Sequence, residues 1–331
     1  MIYCIESHDT DPCRNLALEQ FVFDSLDREH SYFMLWQNYN AIIVGKHQNT
    51  LEEINAAFVK EKGISVVRRL SGGGAVYHDL GNLNFTFITD ANKQEGIDFT
   101  VFCGPIRDAL ISLGVPVEIS GRNDMTVDGK KFSGNAQYIK GGRVMHHGTI
   151  LYDSNMSILS QALKPGVDKI ESRGVKSVQS RVTNIRPYMK TDMGIALFWA
   201  ALKDFMVRAF GMGELTLNAG QNAAVGELRE KVYSQWGWNY GASPPYTLRK
   251  ARRMEGCGKI EILLDLGKEG VINNAAFYGD FFGNREPAEL GDLLKGRHLE
   301  RGELEEALKC ADISQYFHAL DTGAFLALLL E

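Results

Sequence analysis

The chain has 331 residues, of which 44% are hydrophobic and 23% are charged, and its formal net charge is -5. This length suits one large domain with a smaller one, and the composition is that of an ordinary globular protein. The negative charge argues against broad binding to nucleic acid or to anionic membranes and leaves room only for local basic clusters.

The N-terminal two thirds of the chain alternates predicted helices and strands. Apolar spacing predicts helices over 15–26, 52–62 and 99–113, and strands over 32–36, 41–44 and 64–67. A polar turn is expected to join the strands 32–36 and 41–44. Strands are expected to dominate to about residue 152, and helices follow over 157–163 and 193–210.

Residues 237–246 are rich in turn formers and predict a domain edge, with a hinge over 241–245. Beyond this edge, the pattern predicts a pair of strands over 259–266 and 271–278, and helices over 290–294, 303–310 and 324–329. This tail is short, so it is expected to lack a large core of its own and to pack on the first domain. The predicted domains are 1–243 and 244–331.

The N-terminus and the cysteines predict a cytoplasmic protein. The first residues lack a basic region followed by a long apolar one, so no signal peptide is expected. No apolar stretch has the length of a transmembrane helix. The five cysteines are scattered, which predicts reduced thiols with neither a disulfide framework nor a zinc site: Cys4, Cys13, Cys103, Cys257 and Cys310.

The most informative motif is RRLSGGGAVYHDLGN, which covers Arg68 to Asn82. Glycine permits a positive φ and close approach of a ligand to backbone N–H groups, and arginine forms paired hydrogen bonds with phosphate. The run therefore predicts a nest for a nucleotide phosphate, with an ordinary hairpin loop as the alternative. It is not a P-loop, because no Gly-Lys-Ser/Thr follows. It is not a dinucleotide fingerprint either, because residues 84–88 alternate like a strand.

A second motif places Asn123 and Asp124 a few residues before Lys131. Tandem Asn and Asp near a glycine are also typical of a plain turn, and a lysine can be a solvated surface charge. The functional alternative is that Asn123 meets a phosphate oxygen and Asp124 helps to hold Mg²⁺. Lys131 would then be a fixed cation opposing negative charge on a phosphate or carbonyl oxygen.

A third motif contains His146 and His147, followed by glycine and threonine. In a regular strand these two histidines point to opposite faces, which disfavours a shared metal site. We expect one of them to pack beside the pocket and form hydrogen bonds, while the other faces away.

Taken in order, these motifs closely resemble the lipoate–protein ligases. The resembling segments also include Gly121-Arg122-Asn123-Asp124, Lys131 to Ala136, Ser180 to Asn184 and the Trp-Gly-Trp-Asn-Tyr-Gly edge at 236–241. Each motif is modest alone, but their common order covers nearly the whole chain.

The resemblance implies an α+β fold, with a biotin-ligase-like mixed β-sheet and flanking helices in the catalytic domain and a small α/β C-terminal domain. It implies that lipoate and MgATP form lipoyl-AMP, and that the lipoyl group then passes to a lysine of an acceptor. The acceptors would be lipoyl-domain proteins, namely E2 subunits of 2-oxoacid dehydrogenases and the glycine-cleavage H protein. A monomer is the expected oligomeric state.

The resemblance also implies the roles of individual residues. Lys131 would be catalytic and would touch both the phosphate and the lipoyl carboxyl group, and Asp124 would hold Mg²⁺. ATP or the adenylate would contact Arg69, Gly74, Ala75, Val76, Tyr77, Asn123 and Lys131. Lipoate would contact Ser71, Gly73, His78, Lys131 and His147. An apolar slot for the lipoyl tail is expected among side chains such as Leu16, Leu18, Leu35, Val44 or Leu70.

Two alternatives share the resemblance but not the reaction. An ATP-independent lipoyl or octanoyl transferase would in some cases use a cysteine nucleophile, but no cysteine lies between Cys103 and Cys257. A non-catalytic lipoate-binding relative would be expected to have lost Lys131 or the glycine run, and both are intact. Release of pyrophosphate from ATP with free lipoate separates the ligase from both alternatives.

Overall fold

The computed structural model describes residues 1–90, 99–120, 123–163, 181–241, 247–267 and 270–330. Its chain divides into two compact units. The first contains Met1–Val44, Thr50–Leu70 and Ala75–Asn239, and the second contains Gly45–Asn49, Ser71–Gly74 and the chain from Tyr240 onward. The predicted boundary at 243/244 and most of the predicted hinge lie outside the described residues, so both stay predictions.

The first unit is built on two sheets. Its strands are β1 (Ile2–Ser7), β2 (Ser31–Trp36), β3 (Ala41–Val44), β4 (Ser65–Arg68), β5 (Val76–His78), β6 (Asn82–Asp90), β7 (Glu118–Ser120), β8 (Asp124–Val127), β9 (Lys130–Lys140), β10 (Arg143–Leu151) and β11 (Gly213–Glu214). The large sheet has the order β11-β1-β2-β6-β10-β9-β8-β7 and the small one β4-β3-β5. The large sheet is mixed, because β1 is parallel to β2 and β11 whereas the pairs from β2 to β7 are antiparallel.

Helices flank these sheets. They are α1 (Pro12–Ser25), α2 (Thr50–Glu53), α3 (Ala56–Glu61), α4 (Thr100–Ser112), α5 (Met156–Ala162), α6 (Ile195–Phe210), α7 (Ala219–Leu228) and α8 (Trp236–Asn239), with a 3-10 turn at Arg186–Tyr188 and a π-helical turn at Arg229–Tyr233. Among the described residues, no helix is both long and apolar enough to cross a membrane.

Helix α1 begins where its sequence provides the N-terminal signals. The Asp11 side chain accepts a hydrogen bond from the backbone N–H of Cys13, and Pro12 occupies the first turn. The buried side of the helix includes Leu16 and Val22, which join one core cluster with residues of β2 such as Met34. This packing brings α1 onto one face of the large sheet, which becomes the face of the candidate site.

The second unit adds a three-stranded antiparallel sheet and three helices. Its elements are β12 (Leu248–Met254), β13 (Gly258–Leu266), β14 (Ile272–Gly279), α9 (Ala288–Leu294), α10 (Arg301–Leu308) and α11 (Thr322–Leu330), with a 3-10 turn at Ile313–Gln315. Strand β12 escaped the sequence analysis because its residues, LRKARRM, lack apolar alternation on an outer, half-exposed strand.

The fold class is confirmed, since a mixed sheet with flanking helices is accompanied by a small C-terminal α/β domain. Strands β2 and β3 are joined by residues 37–40 as expected, and they belong to different sheets. One expectation is wrong. The tail has a core of its own, drawn from residues 257–329, because its aromatic side chains Phe277, Phe317 and Phe325 pack ring against ring at its centre.

We expect Phe317→Ala to lower the free energy of unfolding of the second unit by about 3–5 kcal/mol, because the ring is fully buried against Phe281 and Phe325. Urea unfolding of the full chain, with hydrogen exchange of residues 258–330, measures this change. Leu293→Ala removes an exposed side chain in the same unit and is the control, with an expected change within about 0.5 kcal/mol. Equal losses in the two variants would contradict the assignment of the core.

Candidate functional site

One face of the large sheet carries a buried network of polar side chains. The carboxylate of Glu19, on α1, accepts a hydrogen bond from the hydroxyl of Thr86 and lies 3.0 Å from Nδ1 of His147. Trp36 donates its indole N–H to the Thr86 hydroxyl at 2.9 Å. Glu19 is only 1% exposed, so these partners, rather than solvent, provide the hydrogen bonds to its carboxylate oxygens.

Arg69 and His78 lie close to this network. Arg69 donates from Nη1 to the carbonyl of Ile43 at 3.1 Å. Burial lowers the pKa of Arg69 to about 10, against the opposing charge of Glu19, so the guanidinium remains a cation at neutral pH. Burial, with the charges of Arg69 and His147, lowers the pKa of His78 to about 3, so this imidazole is neutral.

Three buried polar atoms in this region have no hydrogen-bond partner among the described residues: His78 Nε2, Asn82 Oδ1 and Asn84 Nδ2. The amide nitrogen of Asn38 lies 3.2 Å from His78 Nδ1, so Nδ1 accepts and Nε2 carries the proton. Asn82 donates its own amide to Asn84 Oδ1 at 2.8 Å. Because buried polar groups are normally paired, these atoms are candidate partners for a ligand or an ordered water.

Lys131 lies at the start of β9 and forms an ion pair with Asp124 on β8, with Nζ 2.7 Å from the carboxylate. The backbone of Lys131 is also hydrogen-bonded to residues 181–183. Its N–H donates to the carbonyl of Arg181, and its carbonyl accepts from the backbone N–H of Thr183. Ser180 of the same motif lies outside the described residues. The Lys131 side chain remains 37% exposed, so a substrate anion can reach it.

A row of residues across the sheet leads from Lys131 towards the buried network. A Cβ on Gly134 would lie 3.0 Å from Lys131 Nζ, so the lysine side chain runs over this glycine. The N–H of Gly134 donates to the Thr149 hydroxyl at 3.2 Å, and Thr149 pairs with Asn84 on β6. Neighbouring strands are about 4.8 Å apart. Lys131 and the Asn84 amide therefore lie on the same face of the large sheet.

Asn123 is held by the strand beside it. Its amide nitrogen donates to the carbonyl of Asn135 at 2.6 Å, and its own carbonyl accepts from the backbone N–H of Asn135. The side-chain amide of Asn123, which was predicted to bind phosphate, thus already donates one hydrogen bond to β9. Gly121 and Arg122 lie outside the described residues.

The two adjacent arginines that open the first motif have different environments. Arg68 donates to the Thr50 hydroxyl at 2.7 Å and to the carbonyl of Trp238 at 2.9 Å, and Asn239 Oδ1 accepts from the backbone N–H of Arg68. The indole N–H of Trp238 donates to the backbone carbonyl of Arg68 at 2.8 Å, so Arg68 joins β4 to α8 through the Trp-Asn pair of the 236–241 motif. Of the two cations, Arg69 is the one beside the buried network.

The predicted loop residues Ser71–Gly74 belong to the second unit. There, a Cβ on Gly72 would lie 2.3 Å from the carbonyl oxygen of Phe281, so this position requires glycine. Gly73 has a φ of 86° and donates its N–H to the same oxygen at 3.2 Å. Close backbone approach within the second unit thus accounts for two of the glycines, and substrate binding by Ser71, Gly73 and Gly74 stays a prediction.

Residues 75–77 offer backbone rather than side chains. Ala75 and Val76 are half-buried, and β5 is the outer strand of the small sheet. The Tyr77 side chain is buried, its hydroxyl donates to Asn40 Oδ1 at 3.1 Å, and burial raises its pKa to about 12. Nucleotide binding by these residues stays a prediction for their backbone groups.

Strand alternation selects among the predicted slot residues. Leu16 and Leu18 join the core cluster that contains Trp36, and Leu70 packs against it. Leu35 precedes Trp36 on β2, so it points to the opposite face of the sheet. Leu35 therefore does not line the face that carries Glu19.

Sequence reasoning missed Glu19, Trp36, Thr86, Asn82 and Asn84. Their sequence signal is a polar side chain in a position where helical or strand periodicity predicts burial. Glu19 follows the apolar Leu16 and Leu18 on the inner side of α1, and Thr86 alternates with Phe85 and Phe87 in β6.

The chain is similar to known proteins over nearly its whole length. Residues 11–207 match the family described as lipoyl protein ligase A/B catalytic domain, and residues 243–329 match the bacterial lipoate protein ligase C-terminus. A lipoate–protein ligase of Bacillus subtilis (strain 168) is 41% identical over 99% of this chain and 100% of its own length.

Two crystal structures extend the similarity to the fold. P. falciparum LipL1 in complex with lipoate has a TM-score of 0.81 at 22% identity and covers 100% of this chain and 98% of its own. A lipoate–protein ligase A bound with ATP has a TM-score of 0.60 at 25% identity, and the match covers 72% of this chain and 98% of the ligase chain. The chain belongs to the lipoate–protein ligase family and is an enzyme of the ligase class.

The two buried neutral histidines predict a specific loss of stability in acid. Burial lowers the pKa of His146 well below its usual value, as it does for His78. An unfolded histidine titrates near pH 6.5, so below that pH the unfolded chain binds more protons than the folded one. The free energy of unfolding is therefore expected to fall as pH falls below about 6.5, by about 1.4 kcal/mol per pH unit for each imidazole that stays neutral in the folded chain. For His78 this loss continues towards pH 3.

Urea unfolding between pH 6.5 and 5 measures this slope. His78→Gln is expected to reduce the slope of the unfolding free energy against pH by the contribution of one histidine, because the variant has no imidazole at that site. The same slope in the variant and the wild type would refute the buried neutral state of His78.

Proposed function

We propose that this chain activates free lipoate with ATP as lipoyl-AMP and transfers the lipoyl group to a specific lysine of a lipoyl-domain protein. The observation that carries the proposal is the row of residues on one face of the large sheet, from the accessible cation Lys131 over Gly134 and Thr149 to the buried amides of Asn84 and Asn82. One end suits an anionic reaction centre, and the other suits a bound substrate. The ATP-bound relative supports the nucleotide.

The first step needs fixed positive charge. A carboxylate oxygen of lipoate attacks the α-phosphorus of ATP, the bond to the bridging oxygen breaks, and pyrophosphate leaves. Two anions must approach each other, so the ammonium of Lys131 offsets their repulsion at the reacting oxygens. Arg69 adds a second cation whose position is fixed by burial and by Ile43.

The second step uses the same lysine. The neutral amine of the acceptor lysine attacks the acyl carbon of lipoyl-AMP, and negative charge develops on the carbonyl oxygen. The bond to the AMP oxygen then breaks, AMP leaves, and the amine nitrogen loses a proton to solvent as the amide forms. Lys131 stabilises that oxygen. The adenylate already carries the activation, so the step needs no covalent acyl-enzyme.

Mg²⁺ belongs to the proposal as part of the MgATP substrate. Among the described residues, no group of three or more His, Cys, Asp and Glu side chains could hold a metal ion by itself. A magnesium ion bound largely through substrate phosphates needs only one or two carboxylates from the protein. Asp124 fits that role, because its carboxylate lies beside Lys131. The ion would neutralise phosphate charge there.

The acceptors that we propose are E2 subunits of 2-oxoacid dehydrogenases and the glycine-cleavage H protein. We also propose a monomer in the cytoplasm. All five cysteines are free, and Cys4, Cys103 and Cys257 are buried, which supports a reducing compartment.

Lys131→Ala is expected to slow the formation of lipoyl-AMP by about 10²–10³-fold, because the variant loses the cation beside the reacting oxygens. Chromatography of the adenylate in single turnovers measures this rate. Lys130→Ala is the matched control, since this neighbouring lysine is exposed on the same strand. Adenylation at the wild-type rate by the Lys131 variant would remove the lysine from the mechanism.

Incubation with lipoate, MgATP and an acceptor lipoyl domain is expected to raise the acceptor mass by one lipoyl group. Omission of ATP is expected to abolish the change, because free lipoate has no leaving group. Mass spectrometry of the acceptor measures both. Modification from an acylated carrier protein without ATP would favour the transferase instead.

A further inference from the structure

A buried hydrogen-bonded relay connects the far face of the large sheet to the reaction centre. Gln137 Nε2 lies 3.1 Å from His146 Nδ1, and His146 Nε2 lies 3.2 Å from Asn135 Oδ1. Asn135 Nδ2 lies 3.1 Å from the backbone carbonyl oxygen of Asn123. His146 is fully buried, and Gln137 and Asn135 are each 3% exposed.

Each hydrogen bond in this relay has only one possible direction. The carbonyl of Asn123 can only accept, so Asn135 must present its amide nitrogen to it and its amide oxygen to His146. The Nε2 atom of His146 must then donate, and Nδ1 must accept from Gln137. A neutral imidazole with its proton on Nε2 satisfies these requirements, and burial keeps it neutral because it lowers the pKa of His146.

The relay ends at the residues beside the reaction centre. Asn135 also donates its backbone N–H to the Asn123 carbonyl, and Asn123 returns its amide nitrogen to the Asn135 carbonyl. Asn123 directly precedes Asp124, which forms the ion pair with Lys131. Three hydrogen bonds between two asparagines thus fix the first residues of β8 against β9.

We propose that Asn135, oriented by His146, is a positioning residue that holds Asp124 and Lys131 in place for ATP. This inference rests on the proposed function. His146 touches neither Lys131 nor Asp124 in the relay, and it acts by donating to the amide oxygen of Asn135. With that donor lost, the buried amide oxygen has lost its hydrogen bond from His146, and the side chain of Asn135 is held less firmly against Asn123.

Core packing by the imidazole ring is a separate contribution that a variant can preserve. The ring lies between aromatic side chains, with centroids 4.9 Å from Phe102 and 6.0 Å from Phe85. His146→Phe keeps a ring in this space but removes both nitrogens. His146→Gln provides an N–H donor again. Phe102→Leu disturbs the packing and leaves the relay atoms in place.

The experiment measures adenylation kinetics with MgATP and lipoate varied separately, together with thermal unfolding, for the wild type and these three variants. His146→Phe is expected to lower kcat/KM for ATP by about 10- to 100-fold, because small misplacements of reacting groups have effects of this size. KM for lipoate is expected to change less than kcat/KM for ATP does, since His78 and His147, two of the predicted lipoate contacts, lie outside the relay. His146→Gln is expected to recover most of the loss, and Phe102→Leu is expected to keep the wild-type kcat/KM while losing stability.

Two results would overturn the inference. One is a wild-type kcat/KM for ATP in His146→Phe. The other is a loss of kcat/KM in His146→Phe that is equal for ATP and lipoate, together with a loss in Phe102→Leu that matches its loss of stability. Absence of ATP-dependent adenylation in the wild type would instead reject the proposed function. An active wild type with an unaffected His146→Phe variant rejects the relay alone.

Discussion

The alternation of strand β10 is the constraint on which the site depends. His147 points to the face that carries Glu19, while His146 points to the opposite face and bonds to Asn135. Gly148 follows because a Cβ there would lie 2.2 Å from the Asn135 amide oxygen, and Thr149 accepts from the N–H of Gly134. These four consecutive residues therefore connect strand β9, which carries Lys131, with the buried network around Glu19.

Much of the fold could be predicted from local pattern. The helices at Pro12–Ser25, Thr100–Ser112 and Ile195–Phe210 and most strands lie where apolar spacing predicts them, because periodicity records which face is buried. The separation of β2 from β3 could not be predicted this way, since sheet membership depends on partners distant in sequence. The core of the C-terminal unit was missed for a related reason, because its aromatic side chains meet only after three helices fold onto one sheet.

The candidate site could be predicted in part. Lys131, Asp124, Arg69 and the opposed histidines were found from sequence, and the structure gives each a defined environment. Glu19 was missed because its partner His147 is 128 residues away. The glycine run was recognised, but its local pattern could not show what each glycine contacts. A glycine that approaches a ligand and one that approaches a distant backbone, as Gly72 does, look the same in sequence.

Burial divides the charged groups of the site into fixed and exchangeable ones. Arg69 is 6% exposed and Glu19 is 1% exposed. Replacing either of them by a neutral residue would leave the opposite charge buried and poorly solvated. Lys131 and Asp124 are each more than a third exposed, and such pairs contribute only about 0–1 kcal/mol. A phosphate or carboxylate can therefore replace Asp124 as the partner of Lys131 at little cost. In the reaction that we propose, the buried charges of Arg69 and Glu19 stay in place while the exposed Lys131 changes its partner.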